Sequence, residues 1–273
     1  MAERPHAEFA SEPDAFERPF KKTLVDVYDH LALGVAANVT TLVILSAALS
    51  VGFLFSDGPS WAPLAASVVG ALLVAPALAW GLARLALAMA RHEDPSYWML
   101  FSGFGRPYLC AAAYLALGIA GAIVVGFMAW FWGHAPVWGS PLEVGVGAMW
   151  LGLGVLGACA HLLGWPVLVL SEGKPLYTSR LVLALLAVSP ASAFGYLVGT
   201  LAVALVVALP ILVQWRGLGA GACVMFTVFM AAFLVAMASA NIALQLIDVF
   251  AEREEASEPD EKTPSTEEDC IDG

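Results

Sequence analysis

The chain has 273 residues, of which 60% are hydrophobic and only 13% are charged, and its mean hydropathy is +0.81. Soluble globular proteins carry about 25% charged residues, and a chain this apolar would expose large hydrocarbon patches to water, so the composition excludes an ordinary soluble domain. The net charge of −11 comes largely from the two ends, and no basic cluster is larger than Lys21-Lys22, so a nucleic-acid-binding surface is excluded as well.

The two ends of the chain are polar. Residues 1–15 are predicted to form a disordered N-terminal tail. Residues 251–273, which are rich in acidic side chains and contain prolines, are predicted to form an acidic disordered C-terminal tail. Such segments bury too little apolar surface to offset the entropy lost on ordering. The acidic tail is interpreted as a solvated segment rather than as a dedicated binding segment.

Six apolar blocks lie between the tails, and each is long enough to cross a bilayer as a helix, which takes about 20 residues. The blocks are at about 31–55, 61–83, 107–132, 142–170, 189–215 and 218–250. The first block is too long for the core of a signal peptide. The sequence therefore predicts an all-α, polytopic membrane bundle with six transmembrane helices within residues 16–250.

Asn38 and His161 are polar residues that fall well inside these blocks. Asn38 is in the first block, where a glycosylation site is excluded by membrane depth, and both Asn38 and Thr41 are predicted to form hydrogen bonds between helices. His161 lies nine residues before Leu170, about 13 Å from the inner boundary at a helical rise of about 1.5 Å per residue. It could bind a solute or relay a proton, but a neutral histidine that is hydrogen-bonded between helices is the favoured interpretation.

The sixth block carries a polar stripe. Asn241, Gln245 and Asp248 are spaced i, i+4 and i+7 and therefore share one helix face, which should point into the bundle. The stripe could line a water-filled path, or it could join helices, which is the commoner use. Because Asp248 and Arg84 both lie near the inner ends of their helices, an ion pair between them is predicted.

Lysine and arginine residues alternate between the connecting segments. They occur in the N-terminal segment, in the second and fourth loops and in the tail, whereas loops one, three and five contain only Arg216. The positive-inside rule then places both termini in the cytoplasm. The expected location is a bacterial plasma membrane, which the chain would cross several times.

The segments before helices one, three and five look alike, since each carries a glutamate followed by a proline, at 17–20, 93–97 and 172–177. Proline is favoured in the first turn of a helix, and the residues that follow could form short helices on the membrane surface. One hypothesis is three tandem units, each a cytoplasmic surface helix followed by a transmembrane hairpin. The alternative is that proline simply marks each loop.

Motifs for catalysis and metal binding are missing from the sequence. There is no G-x-S-x-G elbow and no phosphate-binding loop, and His92-Glu93 lacks the second histidine of a zinc-protease helix. Four cysteines show no paired spacing: Cys110, Cys159, Cys223 and Cys270. The sequence therefore predicts a protein that is not an enzyme and that has no metal and no cofactor.

Two cytoplasmic segments carry a resemblance to a known family. One is RHEDPSY at 91–97 with FSGF at 101–104, and the other is PVLVL at 166–170 running into Pro175-Leu176. Together with the order of the apolar blocks, over most of residues 16–250, they resemble the YesL-like family of uncharacterised bacterial integral membrane proteins. The resemblance implies a six-helix fold and, for some members, an association with carbohydrate uptake systems. It implies no catalytic or binding residues.

Two functions follow as expectations. The favoured one is a non-enzymatic membrane protein that serves as an accessory or scaffold component of solute transport, including carbohydrate transport, with the lipid bilayer and membrane transport proteins as partners. The alternative is a solute transporter or channel whose polar path is lined by helices one, four and six through Asn38, His161, Asn241 and Gln245. The first is favoured because ionisable groups inside the apolar blocks are so scarce.

Overall fold

The computed structural model of the protein describes residues 12–134, 141–188, 190–212 and 230–257. Every secondary-structure element among these residues is helical, which confirms the predicted all-α bundle. In chain order the elements are α1 (Glu12–Asp29), α2 (Leu31–Ser50) with a 3-10 turn (Val51–Phe55), α3 (Ala62–Ala90), a 3-10 segment (Tyr97–Phe104), α4 (Tyr108–His134), α5 (Pro141–Leu170), α6 (Pro175–Val188), α7 (Pro190–Leu212) and α8 (Ala232–Ser257).

Within the described residues, five helical segments are long and apolar enough to cross a membrane. They are Leu31–Phe55, Ala62–Ala90, Tyr108–Trp132, Val144–Leu170 and Ala232–Val249. This agrees with the first four apolar blocks and with the C-terminal part of the sixth, and it indicates a membrane protein. The fifth block contains α7, and residues 213–229 lie outside the described residues, so the count of six spans stays a prediction.

Three boundaries differ from those expected. α3 continues to Ala90 rather than ending near 83, because Arg84 projects from the exposed side of the helix while its neighbours are buried. α1 begins at Glu12, inside the predicted tail, since an acidic residue and a proline suit a first helical turn. α8 runs to Ser257, past 250, because its last residues are good helix formers that need no lipid contact. The remaining tail residues, 1–11 and 258–273, lie outside the described residues.

The main core surrounds the second half of α3. From 76 to 90 every residue is buried except Ala79 and Arg84, whereas the first half of the helix is exposed or half-buried. Leu100 of the 3-10 segment and Phe233 of α8 belong to the same buried cluster, to which α1 and α2 also contribute. Among the described residues, the main buried core therefore lies around the C-terminal half of α3, next to the 3-10 segment.

The 3-10 segment runs along α3 with backbone against backbone. A side chain at Gly81 would fall on the carbonyl oxygen of Leu100, and one at Gly103 would fall on that of Ala77. Both glycines are buried. The two chains can approach this closely only because neither position carries a Cβ atom.

α1 packs against α8 and reaches the end of α3. Its buried face carries Thr23, Asp26 and Val27, which are spaced i, i+3 and i+4. The Nζ of Lys22 donates a hydrogen bond of 2.9 Å to the carbonyl oxygen of Ala90, the last residue of α3. A lysine in this position satisfies one of the carbonyls that a helix leaves unpaired at its C-terminus. α1 is thus an integral part of the bundle.

The turns after α3 and α5 have the same geometry. The amide of Glu93 donates to the carbonyl of Ala88 at 2.9 Å, and 80 positions later the amide of Gly173 donates to that of Leu168 at 3.0 Å. The residue before each of these amides has a φ of 55°, and a proline follows two residues later in both turns. This is the helix-ending pattern with a left-handed residue, and it recurs at the glutamate–proline segments that precede the third and fifth apolar blocks; the three tandem units stay a hypothesis.

Candidate functional site

Three aromatic rings meet between α4 and α5. The rings of His161 and Tyr114 stack at a centroid distance of 4.4 Å with an interplanar angle of 13°. Trp165, one turn after His161, lies edge-on to Tyr114 at 5.2 Å and to His161 at 5.8 Å. The Tyr114 hydroxyl donates a 3.1 Å hydrogen bond to the backbone carbonyl of His161. The cluster fixes the orientation of the imidazole inside the membrane-spanning segments.

Two glycines make room for this cluster. A Cβ at Gly118 would lie 2.6 Å from the His161 ring, and one at Gly164 would collide with the Tyr114 hydroxyl. The Nε2 atom of His161 is buried and has no hydrogen-bond partner. The ring is therefore held between helices by stacking, whereas the sequence had favoured a histidine held by hydrogen bonds. Tyr114 was not predicted as part of the site. Gly118, one turn later on α4, is a signal in the sequence that a large ring packs against this part of the helix.

A cleft of about 570 Å³ opens beside the cluster, between α4, α5 and α6. Tyr114, His161 and Ser179 line it with polar groups, and the rest of the wall is apolar. The hydroxyl of Ser179 already donates to the carbonyl of Pro175 at 3.0 Å. A site of this size falls in the range of small-molecule pockets, but its wall suits an apolar ligand.

A second cavity of about 450 Å³ lies between α3, α5, α7 and α8. Trp165, Thr200 and Ser239 contribute to its wall, and the hydroxyls of Ser239 and Tyr196 lie 2.6 Å apart. Leu162 borders both this cavity and the first cleft. A single turn of α5, which includes Leu162 and Trp165, therefore separates the two spaces.

Asn38 joins α2 to the start of α8. Its side-chain oxygen accepts hydrogen bonds from the amides of Ala232, at 3.1 Å, and Phe233, at 3.3 Å, and the residue is fully buried. Residues 230–231 are π-helical, so Asn38 takes up amides at the point where the regular α-helix begins. This is the role between helices that was predicted for Asn38. The same prediction is wrong for Thr41, which donates to the carbonyl of Ala37 in its own helix at 2.8 Å.

Asn241 faces α1. Its amide nitrogen donates to the Thr23 hydroxyl at 3.2 Å and to the Asp26 carboxylate at 3.0 Å, and all three side chains are buried. Gln245 follows one turn later and is half-buried, and Asp248 is exposed. The polar stripe of the last helix thus serves the contact with α1. Thr23 and Asp26 were missed, although their spacing of three residues places them on one helix face.

The predicted polar site is not assembled in one place. His161 contacts α4, Asn38 contacts the start of α8, and Asn241 contacts α1. Arg84 and Asp248 are both exposed and form no ion pair with each other in the described structure. Long, hydrated side chains at the inner end of a bundle can remain in water, which removes the need for such a pair.

Asn241 and Asp26 are expected to be energetically coupled. Asn241→Leu would leave a buried carboxylate without its amide donor, so a double-mutant cycle with Asp26→Leu should give a coupling of about 1–3 kcal/mol. The free energy of unfolding of the four proteins, measured by denaturant titration in detergent, provides the cycle. Asp248→Leu, on the same helix but exposed, should couple to Asp26→Leu by less than about 0.5 kcal/mol. Equal coupling in both cycles would contradict the contact.

No group of three or more potential metal ligands occurs in the part of the chain that the structure describes. Comparison of the chain with protein-family models, curated proteins and solved structures gives no match. Function therefore has to be inferred from the contacts and cavities themselves.

Proposed function

We propose that the protein is a non-enzymatic integral membrane protein that acts as a scaffold or accessory subunit of a solute-transport system. The observation that carries this proposal is the use of Asn38 and Asn241. The side-chain oxygen of Asn38 and the side-chain nitrogen of Asn241, which would be needed along a polar path, are occupied by hydrogen bonds to neighbouring helices. In membrane proteins such groups hold helices together. The link to transport, including carbohydrate uptake, rests on the resemblance to the YesL-like family.

The proposed orientation has both termini in the cytoplasm of a bacterial cell, with the bundle in the plasma membrane. The alternation of cationic loops supports it. Lys21, Arg91 and Lys174 are exposed, and they belong to α1 and to the turns after α3 and α5. Cations near the headgroups of one leaflet would be favoured by anionic lipids.

The outer face of α1 supports a docking role. While Thr23 and Asp26 are buried against α8, Leu24 is 50% exposed and Tyr28 is 78% exposed. On the 3-10 segment, Trp98 is 75% exposed and lies edge-on to Tyr97. A helix that buries its polar face and exposes large apolar side chains is expected to pack against a further apolar surface. In this proposal that surface belongs to a transport protein.

Affinity capture of the full-length protein from native membranes tests the scaffold function. A membrane transport protein is expected to co-purify, and the double variant Tyr28→Ser/Trp98→Ser should lose it because large apolar contacts are removed. Trp61→Ser, which alters a side chain that is 68% exposed before the start of α3, is the matched control and should retain the partner. Capture of no transport protein, or equal capture by all variants, would contradict the proposal.

A second candidate function is solute transport by the protein itself, which the two cavities on either side of α5 favour. Movement of a solute between them would require displacement of the ring of Trp165 and of its neighbour His161. Uptake of radiolabelled mono- and disaccharides by proteoliposomes tests it. Robust uptake that is abolished by His161→Ala would replace the scaffold proposal, and uptake no higher than in empty vesicles is the expected result.

A further inference from the structure

The cleft between α4, α5 and α6 is lined by two glycines that helix packing does not require. A Cβ atom at Gly121 or Gly157 would meet no other atom within 4 Å, although both residues line the cleft. By contrast, Gly154 is needed for contact, since its Cβ would lie 2.9 Å from Val125. Glycine inside a helix costs about 1 kcal/mol relative to alanine. Glycine at positions 121 and 157 therefore lowers the stability of the helices, and no contact within the described bundle requires it.

The dimensions of the cleft suit a single thin chain. Its wall on α4 extends from Tyr114 to Val125, which at about 1.5 Å per residue gives a length of about 16 Å. This is about half of the 30 Å hydrocarbon core of a bilayer. With a volume of about 570 Å³, the mean cross-section is about 36 Å², whereas a helix about 10 Å across needs on the order of 80 Å². A transmembrane helix of a partner is too wide to enter the cleft and could only lie across its opening.

The polarity of the wall changes along the cleft. Tyr114 and His161 lie at one end, and Val125 and Leu153 lie at the other. α6 belongs to the first end, because its Val182 packs in the same buried cluster as Leu163, which follows His161 on α5.

Further polar groups belong to that first end. Ser179 of α6 lines it, and the neighbouring Arg180 is exposed. The His161 residue is part of the same wall. The cleft thus has one polar end and one apolar end.

We propose that this cleft binds one acyl chain of a bilayer phospholipid. The chain enters the cleft at the end that carries Tyr114 and Ser179 and extends past Gly121 and Gly157 toward Val125, so that the ester groups stay at the headgroup boundary beyond the cleft. Two of the three helices that form the walls of the cleft, α4 and α5, are long and apolar enough to span a membrane, so acyl chains are the molecules that surround it. This binding site is separate from the proposed docking of a transport protein on α1 and the 3-10 segment.

The test uses the full chain in vesicles of phosphatidylcholine that contain a phosphatidylcholine with a photoreactive group in one acyl chain. After exchange into detergent and irradiation, peptide mapping should locate crosslinks in 114–125 and 153–162. Gly121→Leu/Gly157→Leu adds side chains to the cleft from positions where a Cβ atom meets no other atom within 4 Å. The double variant should reduce the retained, crosslinked lipid by about tenfold or more, because the added side chains occupy the space of the chain.

The matched control is Gly126→Leu/Gly152→Leu. These glycines lie on the same two helices and also have open space around them, but they do not line the cleft. The control should retain lipid as the unmodified protein does. Equal labelling of both double variants would overturn the proposal, because it would show that the lipid is only part of the surrounding layer.

Two further measurements distinguish loss of lipid binding from misfolding of the variant and from dimerisation through the cleft. If the cleft-filling variant fails to give a monodisperse peak in size-exclusion chromatography, the smaller change Gly157→Val is used with Gly152→Val as its control. If the unmodified protein sediments as a dimer and Gly157→Val as a monomer, the cleft is an interface between copies and the lipid proposal is wrong. Loss of lipid binding with an unchanged partner in affinity capture would separate this site from the scaffold function.

Discussion

Replacement of Asn38 by leucine is expected to destabilise the protein by about 2–6 kcal/mol, because two amides lose their acceptor, one on a buried and one on a half-buried residue. Each such amide costs about 1–3 kcal/mol when unsatisfied. The amides belong to Ala232 and Phe233, where α8 begins after π-helical residues 230–231. Water cannot replace the lost oxygen inside a membrane, so the cost is not relieved by solvation. Denaturant titration of purified protein in mixed micelles, followed by circular dichroism, measures it.

Thr41→Val is the matched control for this change. Thr41 lies on the same helix and is also buried, at 5% exposure, but its hydroxyl bonds to the carbonyl of Ala37 within α2. Its loss should cost less than about 1 kcal/mol, which is typical of a single polar contact in a membrane protein. If Asn38→Leu and Thr41→Val were equally stable, Asn38 would not hold the start of α8.

Replacement of Gly81 by alanine is expected to destabilise the protein by about 3 kcal/mol or more, at the upper end of overpacking effects. The new methyl group would fall on the backbone carbonyl of Leu100, and a backbone cannot move aside as the end of a flexible side chain can. Gly103→Ala should behave in the same way against Ala77. The midpoint of thermal unfolding in detergent reports both changes.

The sign of the effect separates this clash from ordinary helix propensity. Gly126→Ala, in α4, adds the same methyl group where no atom lies within 4 Å. It should stabilise the protein by up to about 1 kcal/mol, because alanine is the better helix former. A stabilising Gly81→Ala would show that the 3-10 segment does not lie against α3 in this way.

The long helices could be predicted because apolar length is a local property of the sequence. The block predicted at 31–55 coincides with the apolar helical segment Leu31–Phe55. Arg84 was expected to mark the end of a span, but a cation can remain in water on one side of a helix while Leu85 and Ala86, its neighbours, are fully buried. The predicted end of α3 was therefore seven residues too early. The 3-10 segment, which packs against α3, had been predicted to be a helix on the membrane surface.

The partners of the polar residues could not be predicted from spacing alone. Asn38 was recognised as a residue that joins helices, but nothing in Met230-Ala231 indicates the change of helical pattern that presents two amides to it. Asn241 was assigned to an inward-facing stripe, yet its partner Asp26 is 215 positions away in the chain. Contacts of this separation depend on which helices become neighbours, and helix periodicity does not carry that information.

The docking of α1 has a consequence for biosynthesis. α1 is synthesised before the helices that it contacts. Lys22 can bond to Ala90 only after α3 has been made, and Thr23 can bond to Asn241 only after a further part of the chain, 218 positions later than Thr23, has been made. A nascent chain therefore inserts most of its helices while the polar face of α1 is still without its partner, since N-terminal segments are made first at about 5–20 residues per second. The contact between α1 and α8 can therefore form only after α8 is made, and a chain truncated before α8 would leave the polar face of α1 without Asn241.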